Sequence, residues 1–263
     1  MCGISGYSVG PESQVPRTLA AQALLAGIAE RGADAAGYAH RSPRGLVRVH
    51  KQRSGATGLL DTLSVPRDTC EVLVHVRDYT KGHPSIEANN HPIRHGAVVG
   101  IHNGVIVNDD ELFERHGFVR AEPEMTVDSE AIFALVDAQP DDAKALEQLT
   151  GAMATAWLDE RDAATLHLAR GICRPLWIGR GKHEVFFAST RAALEVVEDT
   201  LRFGLLKREV GEGRLLRLVA GRVTREERFR PDRSYRDEAL PAVRAPDEGA
   251  SCLERLAAIA AVA

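Results

Sequence analysis

The chain opens Met1-Cys2-Gly3-Ile4, and no other stretch constrains it as tightly. Residues 4–8 read as a strand entered directly from Cys2. A fold that uses this thiol must therefore bring the start of its first strand to the working end of the molecule. The small side chain at position two favours removal of the initiator methionine, which leaves Cys2 with a free α-amine beside its own thiol. Such an amine has a pKa of roughly 7.7–8.0 and can take and return a proton near neutrality. Activation of a nucleophile by an N-terminal amine is a recognised scheme. The plain alternative is a small buried hydrophobe at the head of a strand, a common use of free cysteine. The remaining residues decide between the two.

At 263 residues the chain can bury a substantial core, in one large domain or two small ones. Its net charge is −4, which argues against a non-specific nucleic-acid binder, since that needs a basic surface. No apolar run approaches the ~20 residues of a membrane span, so no membrane association is expected. The N-terminus lacks the basic flank and apolar core of a secretory signal. Cys2, Cys70, Cys173 and Cys252 lie far apart without a CxxC pair, a pattern of neither zinc site nor disulfide scaffold. A reducing cytoplasm, which protects a free thiol, is the expected setting.

Along the chain, Pro16 suits the first position of a helix. Leu24, Leu25 and Ile28 give that helix its apolar stripe, and Arg31-Gly32 its stop. Strands are expected at 38–40 and 46–50, joined by the turn Ser42-Pro43-Arg44-Gly45, and at 71–77. Residues 81–92 read as a loop. Residues 96–107 read as two short strands, or one interrupted at His102-Asn103-Gly104, because Asn-Gly is a strong turn signal. Helices are expected after Asp128-Ser129-Glu130, with Ile132, Leu135 and Val136 buried, and over 141–149. Strands return at 153–158, 165–169, 176–178 and 185–188. Ser189 or Thr190 can cap a helix running through Val197. A hairpin turns at Ala220-Gly221 between 215–219 and 223–228. Residues 231–249 are polar and proline-bearing, a loosely held tail, followed by a short apolar helix over 253–262. Many short strands with two separated helical regions predict an α+β fold, stacked sheets between helical layers.

Taken in order, several segments resemble the class II glutamine amidotransferases, the N-terminal-nucleophile glutaminases. The likeness is to the glutaminase domains of glucosamine-6-phosphate synthase and amidophosphoribosyltransferase. It rests on Cys2-Gly3-Ile4; Glu30-Arg31-Gly32 with Asp34 and Gly37; His75-Val76-Arg77 with Thr80; and Asn89-Asn90-His91-Pro92. It continues through residues 102–108, Val127-Asp128-Ser129-Glu130, Arg170, Pro175-Leu176, Gly179 and Phe187-Ala188-Ser189. Single dipeptides of this kind are common, whereas the ordered set is specific. The resemblance implies a four-layer αββα sandwich of the N-terminal-nucleophile hydrolase type. It covers residues 2–230 as a glutaminase domain, with 231–263 as a polar tail ending in a short helix.

The resemblance also implies roles. Cys2 is the nucleophile. Asn103, through its amide, and Gly104, through its main-chain N–H, form an oxyanion hole, and a plain Asn-Gly turn is the competing reading. Arg77 matches the group that grips the glutamine carboxylate, a task suited to a guanidinium fork; a surface salt bridge would also explain it. Asp128 matches the partner of the α-ammonium and equally suits a helix N-cap. Thr80 and His91 fall on pocket-lining positions. Arg31 and Gly32 support the terminal amine, or simply end a helix. The implied reaction is hydrolysis of L-glutamine through a Cys2 γ-glutamyl thioester, with no metal or cofactor required.

Two departures stand out. Asp78 occupies the position after Arg77 where the family carries an aromatic residue, with Tyr79 following, and the 82–89 loop is longer. After residue 230 only about thirty residues remain, so a separate synthetase or transferase chain is the expected ammonia acceptor. The sequence leaves the acceptor's identity and any homo-oligomer open. Competing readings are a hydrolase of other γ-glutamyl amides without ammonia transfer, and a catalytically silent regulatory subunit.

Overall fold

β-Branched runs with period-two alternation set up the architecture. The computed structural model describes residues 2–42, 44–140, 142–237 and 241–262. Its first half contains β1 (Gly3–Val9), α1 (Arg17–Ile28), β2 (Ala35–Arg41), β3 (Val47–Gln52), α2 (Ala56–Leu60), β4 (Glu71–Arg77), β5 (Ile93–His95), β6 (Val98–Ile106), α3 (Asp109–His116) and α4 (Glu130–Ala138). The second half contains β7 (Gly151–Asp159), β8 (Thr165–Arg170), β9 (Trp177–Arg180), β10 (Glu184–Ala188), α5 (Arg191–Leu201), β11 (Leu206–Glu209), β12 (Arg214–Val219), β13 (Arg222–Arg228) and α6 (Pro246–Ala260). The strands form a seven-stranded sheet, β11-β9-β10-β1-β4-β2-β3, and a six-stranded sheet, β13-β12-β8-β7-β6-β5.

In β4, Val72, Val74 and Val76 pack against α1, α2, α5 and α6. Leu73, pointing the other way, joins Ile4, Ile101, Ala156 and Leu168 between the two sheets. The second sheet covers its far face with α3 and α4. Three apolar layers separated by two sheets make the αββα sandwich that the sequence predicts. A strand with both faces covered cannot shift by one residue without exchanging its two cores. Each fully buried Leu or Ile here contributes about 1.5–3 kcal/mol.

Several local expectations need correction. Residues 96–106 do not turn at Asn103-Gly104: β6 runs straight through it, paired residue by residue with β7 from Val98↔Asp159 to Ile106↔Gly151. The reversal falls earlier, between β5 and β6. The Asn-Gly signal is overridden because the flanking residues are committed to a nine-residue strand paired along its whole length with β7. Gly32 does not end a helix in the left-handed conformation, since its φ is −179°. A Cβ there would lie 2.4 Å from the Arg77 carbonyl carbon and oxygen. It is glycine because another backbone touches it. A 3-10 turn, Ala143–Gln148, stands where a helix over 141–149 was expected, and Asp141 lies outside the described residues, as do Met1 and Pro43 of the 42–45 turn. Thr190 caps α5 by accepting from Ala193 N at 3.2 Å, while Ser189 accepts from Ile4 N at 2.9 Å and so holds the start of β1. Helices α2 and α3 and strand β11 were not anticipated.

The C-terminal segment is less loose than its composition suggests. Thr150 donates to Asp232 at 2.9 Å, and Arg174 pairs with Asp237. Helix α6 starts at Pro246, earlier than expected, and buries Cys252 and Leu256 against α1 and α2.

Candidate active site

Strand register brings the candidate residues to one end of the sandwich. Within β1 and β4, Ile4 pairs with His75 and Gly3 with Val76. Cys2 therefore lies beside Arg77, at the start of one strand and the end of the next. Across the inter-sheet layer, His75 Nε2 meets the carbonyl oxygen of His102 at 3.0 Å. Alternation along β6 then puts Asn103 on the same inward face as Val99 and Ile101. Asn103 and Gly104 thus sit close to the plane in which β1 begins.

Cys2 is half-buried, and its Sγ donates to the main-chain oxygen of Asp78 at 3.4 Å. Its own carbonyl accepts from Arg31 Nε at 2.9 Å. Burial pushes the thiol pKa up, partly offset by the positive charge of Arg77. A thiol in this setting stays protonated at neutral pH and needs a base before it can attack. Arg31 is itself buried, and desolvation lowers its pKa while the neighbouring Cys2 and Glu30 act the other way. Its place is beneath the nucleophile, as a backbone clamp.

Arg77 is almost fully buried. Nη1 donates to Asn90 Oδ1 at 2.6 Å, and Nη2 to the oxygens of Lys81, at 2.9 Å, and Gly82. These bonds hold the loop that follows β4, and among the described residues Nε–H makes no hydrogen bond. Asn90 in turn donates to Pro84 O at 2.8 Å. The same loop is pinned by Lys81, whose Nζ lies 2.7 Å from both carboxylate oxygens of Asp109, and by Asn89 Oδ1, which accepts from the main-chain N–H groups of Thr126 and Val127.

Asn103 is completely buried, and among the described residues neither its amide nitrogen nor its oxygen has a hydrogen-bond partner. Gly104 has φ +150°, and a Cβ there would stand 1.8 Å from Ala152 O. Only glycine fits, so its N–H can be presented without a side chain in the way. Asp128 accepts from Ile106 N at 2.7 Å, tying its carboxylate to the end of β6, and α4 starts without a side-chain cap. Burial raises the Asp128 pKa to about 6.

His91 stacks on His75 with ring centroids 4.2 Å apart. Both of its ring nitrogens lack partners among the described residues, and burial holds its pKa well below the ordinary histidine range. Thr80 is different. It lies exposed on the loop three residues after Arg77. Residues that sequence reasoning passed over as site residues include His75, Asn90, Lys81, Asp109 and Arg120. The acidic pair Asp109-Asp110 in the first turn of a helix was the available signal for the Lys81 anchor. His75 and Asn90 lie inside the recognised segments, and only the three-dimensional pairing reveals what they hold.

Comparison with known proteins fits this arrangement. Residues 78–196 match the glutamine amidotransferase domain family. The glutamine–fructose-6-phosphate aminotransferase (isomerizing) of Vibrio vulnificus is 33% identical over 214 residues, covering 74% of this chain and 32% of that protein. The same enzyme of Bradyrhizobium diazoefficiens is 34% identical over 221 residues, covering 77% and 34%. The chain thus spans about a third of the length of the curated relatives it matches. In structure, the glutamine phosphoribosylpyrophosphate amidotransferase of B. subtilis superposes with a TM-score of 0.65 at 22% identity, over 86% of this chain and 49% of that one. Family match, sequence relatives and shared fold agree: this chain belongs to the class II glutamine amidotransferases.

Proposed function

We propose that the protein hydrolyses L-glutamine to glutamate and ammonia at Cys2. The observation that carries this is the buried Asn103 amide, unbonded among the described residues and next in the chain to His102, whose carbonyl meets His75 of the strand that ends at Arg77. An amide in that position costs stability unless an acceptor meets it, and an oxyanion formed by attack at Cys2 is such an acceptor.

The proposed cycle follows from the site. With Met1 removed, the Cys2 amine takes the thiol proton, directly or through a water. Arg77 holds the glutamine α-carboxylate, and Asp128 holds the α-ammonium. His91, neutral and stacked on His75, lines the pocket. Sulfur bonds to the amide carbon, and the carbonyl electron pair moves to oxygen under Asn103 and the Gly104 N–H. Collapse breaks the C–N bond, the amine's proton leaves with ammonia, and a γ-glutamyl thioester remains. Water adds under the same base, the C–S bond breaks, and glutamate departs.

The glutaminase unit spans residues 2–230, with 231–263 appended and α6 laid back on it. The relatives are longer proteins whose names include a fructose-6-phosphate aminotransferase. The acceptor proposed here is a separate synthetase or transferase chain that receives the ammonia, in a reducing compartment such as the cytoplasm. Among the described residues no helix is long and apolar enough to cross a membrane.

Glutamate release by the wild type and by Cys2→Ala tests the reaction. Activity in the first and none in the second supports it; equal rates sink it. Comparing glutamine with bulkier γ-glutamyl amides decides whether ammonia is the preferred leaving group. Recovery of a synthetase or transferase with the native protein, and coupling of its reaction to glutamine, tests the partner.

A further inference from the structure

The loop that follows Arg77 is tied to the C-terminal segment at the residue touching the nucleophile. The main-chain oxygen of Asp78 accepts from Cys2 Sγ at 3.4 Å. Its carboxylate meets Arg244 Nε at 3.3 Å. On either side of Asp78, Asp34 fixes the backbone: its N–H donates to Arg77 O at 3.0 Å, and its carboxylate accepts from Tyr79 N at 2.9 Å.

Arg244 is held as firmly. Its main-chain N–H and that of Ala245 both donate to Glu30 O at 2.9 Å, one residue before the Arg31 that clamps the Cys2 carbonyl. Helix α6 starts two residues later and is pinned by Glu248 Oε1 accepting from Thr57 N at 2.6 Å and by Arg255 on Asp61 at 2.7 Å. The side chains of Asp78 and Arg244 are partly exposed, at 21% and 39%, so their pairing adds little to global stability. What it sets is position: it fixes a carboxylate of the loop to an arginine on a rigid helix start.

We infer that the Asp78–Arg244 ion pair latches the loop over Cys2, making Arg244 a positioning residue for glutamine. It secures by charge, from the C-terminal segment, the loop position at which the family's members carry an aromatic ring. This deepens the glutaminase reading and rests on it for its kinetic consequence, whereas the latch itself is measurable on the thiol alone.

The test uses the full chain and three variants, Arg244→Ala, Asp78→Asn and the charge exchange Asp78→Arg with Arg244→Asp. Iodoacetamide alkylation of Cys2 is followed by peptide mass mapping, with Cys70, at the opposite end of β4, as the internal reference. Both single variants are expected to alkylate at Cys2 up to about fivefold faster, the shift in loop population that a partly exposed pair can bias. The glutamine KM rises in parallel while Tm and the Cys70 rate stay at wild-type values. The charge exchange brings both quantities back toward wild type, and 0.5 M salt speeds the wild-type Cys2 reaction toward the singles. Unchanged Cys2 alkylation in both single variants overturns the latch. Absence of glutamate release by the wild type overturns the glutaminase reading and leaves the alkylation result to stand or fall independently.

Discussion

Two sets of polar groups lie buried near the Cys2 end, and they follow opposite rules. Around α3 and α4, Asp109 and Glu130 are nearly inaccessible, yet every carboxylate oxygen is met. Asp109 takes Lys81 and Arg120; Glu130 takes His95, Arg120 and the Ala121 N–H. Between the sheets, Asn103 and His91 are equally buried, and their side-chain nitrogens and oxygen are unbonded among the described residues. A saturated network holds elements in place. An unsaturated one costs about 1–3 kcal/mol per group unless a ligand completes it. Under the proposed function, the first set serves the scaffold and the second the chemistry.

Substitutions can break that contrast. Glu130→Ala leaves His95 and the Ala121 N–H without their carboxylate and removes one of the carboxylates that hold Arg120, so it should lower unfolding stability by about 3–5 kcal/mol in urea denaturation. Any loss of activity should track the unfolded fraction. Asn103→Ala should do the reverse: kcat falls roughly 10²–10³-fold, about 2.7–4 kcal/mol of barrier, with Tm unchanged or slightly raised. A large Tm loss in Asn103→Ala would place that residue in the scaffold set.

Asp128 spans both sets, because it is bonded to Ile106 N and still raised to about pKa 6 by burial. Its folded pKa lies above the unfolded value, so the folded state binds the extra proton between pH 3.8 and about 6. Ionisation therefore costs stability as pH rises through that window. Asp128→Asn should raise Tm above pH 6 while weakening glutamine binding. Binding of glutamine to the inactive Cys2→Ala protein should weaken about tenfold per pH unit below pH 6, read by calorimetry. A flat profile would remove Asp128 from the ammonium contact. The smallest effect is expected for Lys81→Met. Its side chain is 37% exposed, so the stability loss should stay within about 1 kcal/mol, with a modest rise in KM as the loop loosens.

Much of this was legible in the sequence, for a physical reason. Strands β4, β7, β8 and β10 are dense in β-branched and apolar residues, so their local pattern and their tertiary fate agree. The Asn103-Gly104 turn failed because a nine-residue strand paired throughout with β7 outvotes one dipeptide. Gly32 does close the 3-10 turn after α1, but what demands glycine there, the approach of the Arg77 carbonyl, is set by a residue far along the chain. Helix α3 is short and dominated by charge, and its apolar residues Leu112 and Phe113 are too few to show a periodic face. Asp78 was visible as an oddity, but its partner Arg244 sits in a stretch whose prolines and charges read as tail. At the site, the sequence names the residues, whereas their burial and pairing, with Asn103 and Arg77 buried and Thr80 exposed, come only from the fold.

The mass of the active protein, quenched with acid during glutamine turnover, tests the central claim most directly. The account predicts a chain that begins at Cys2 and carries a glutamyl adduct on that residue, lost as glutamine runs out. A chain that keeps Met1 and turns over glutamine at full rate, with no adduct on Cys2, would contradict it.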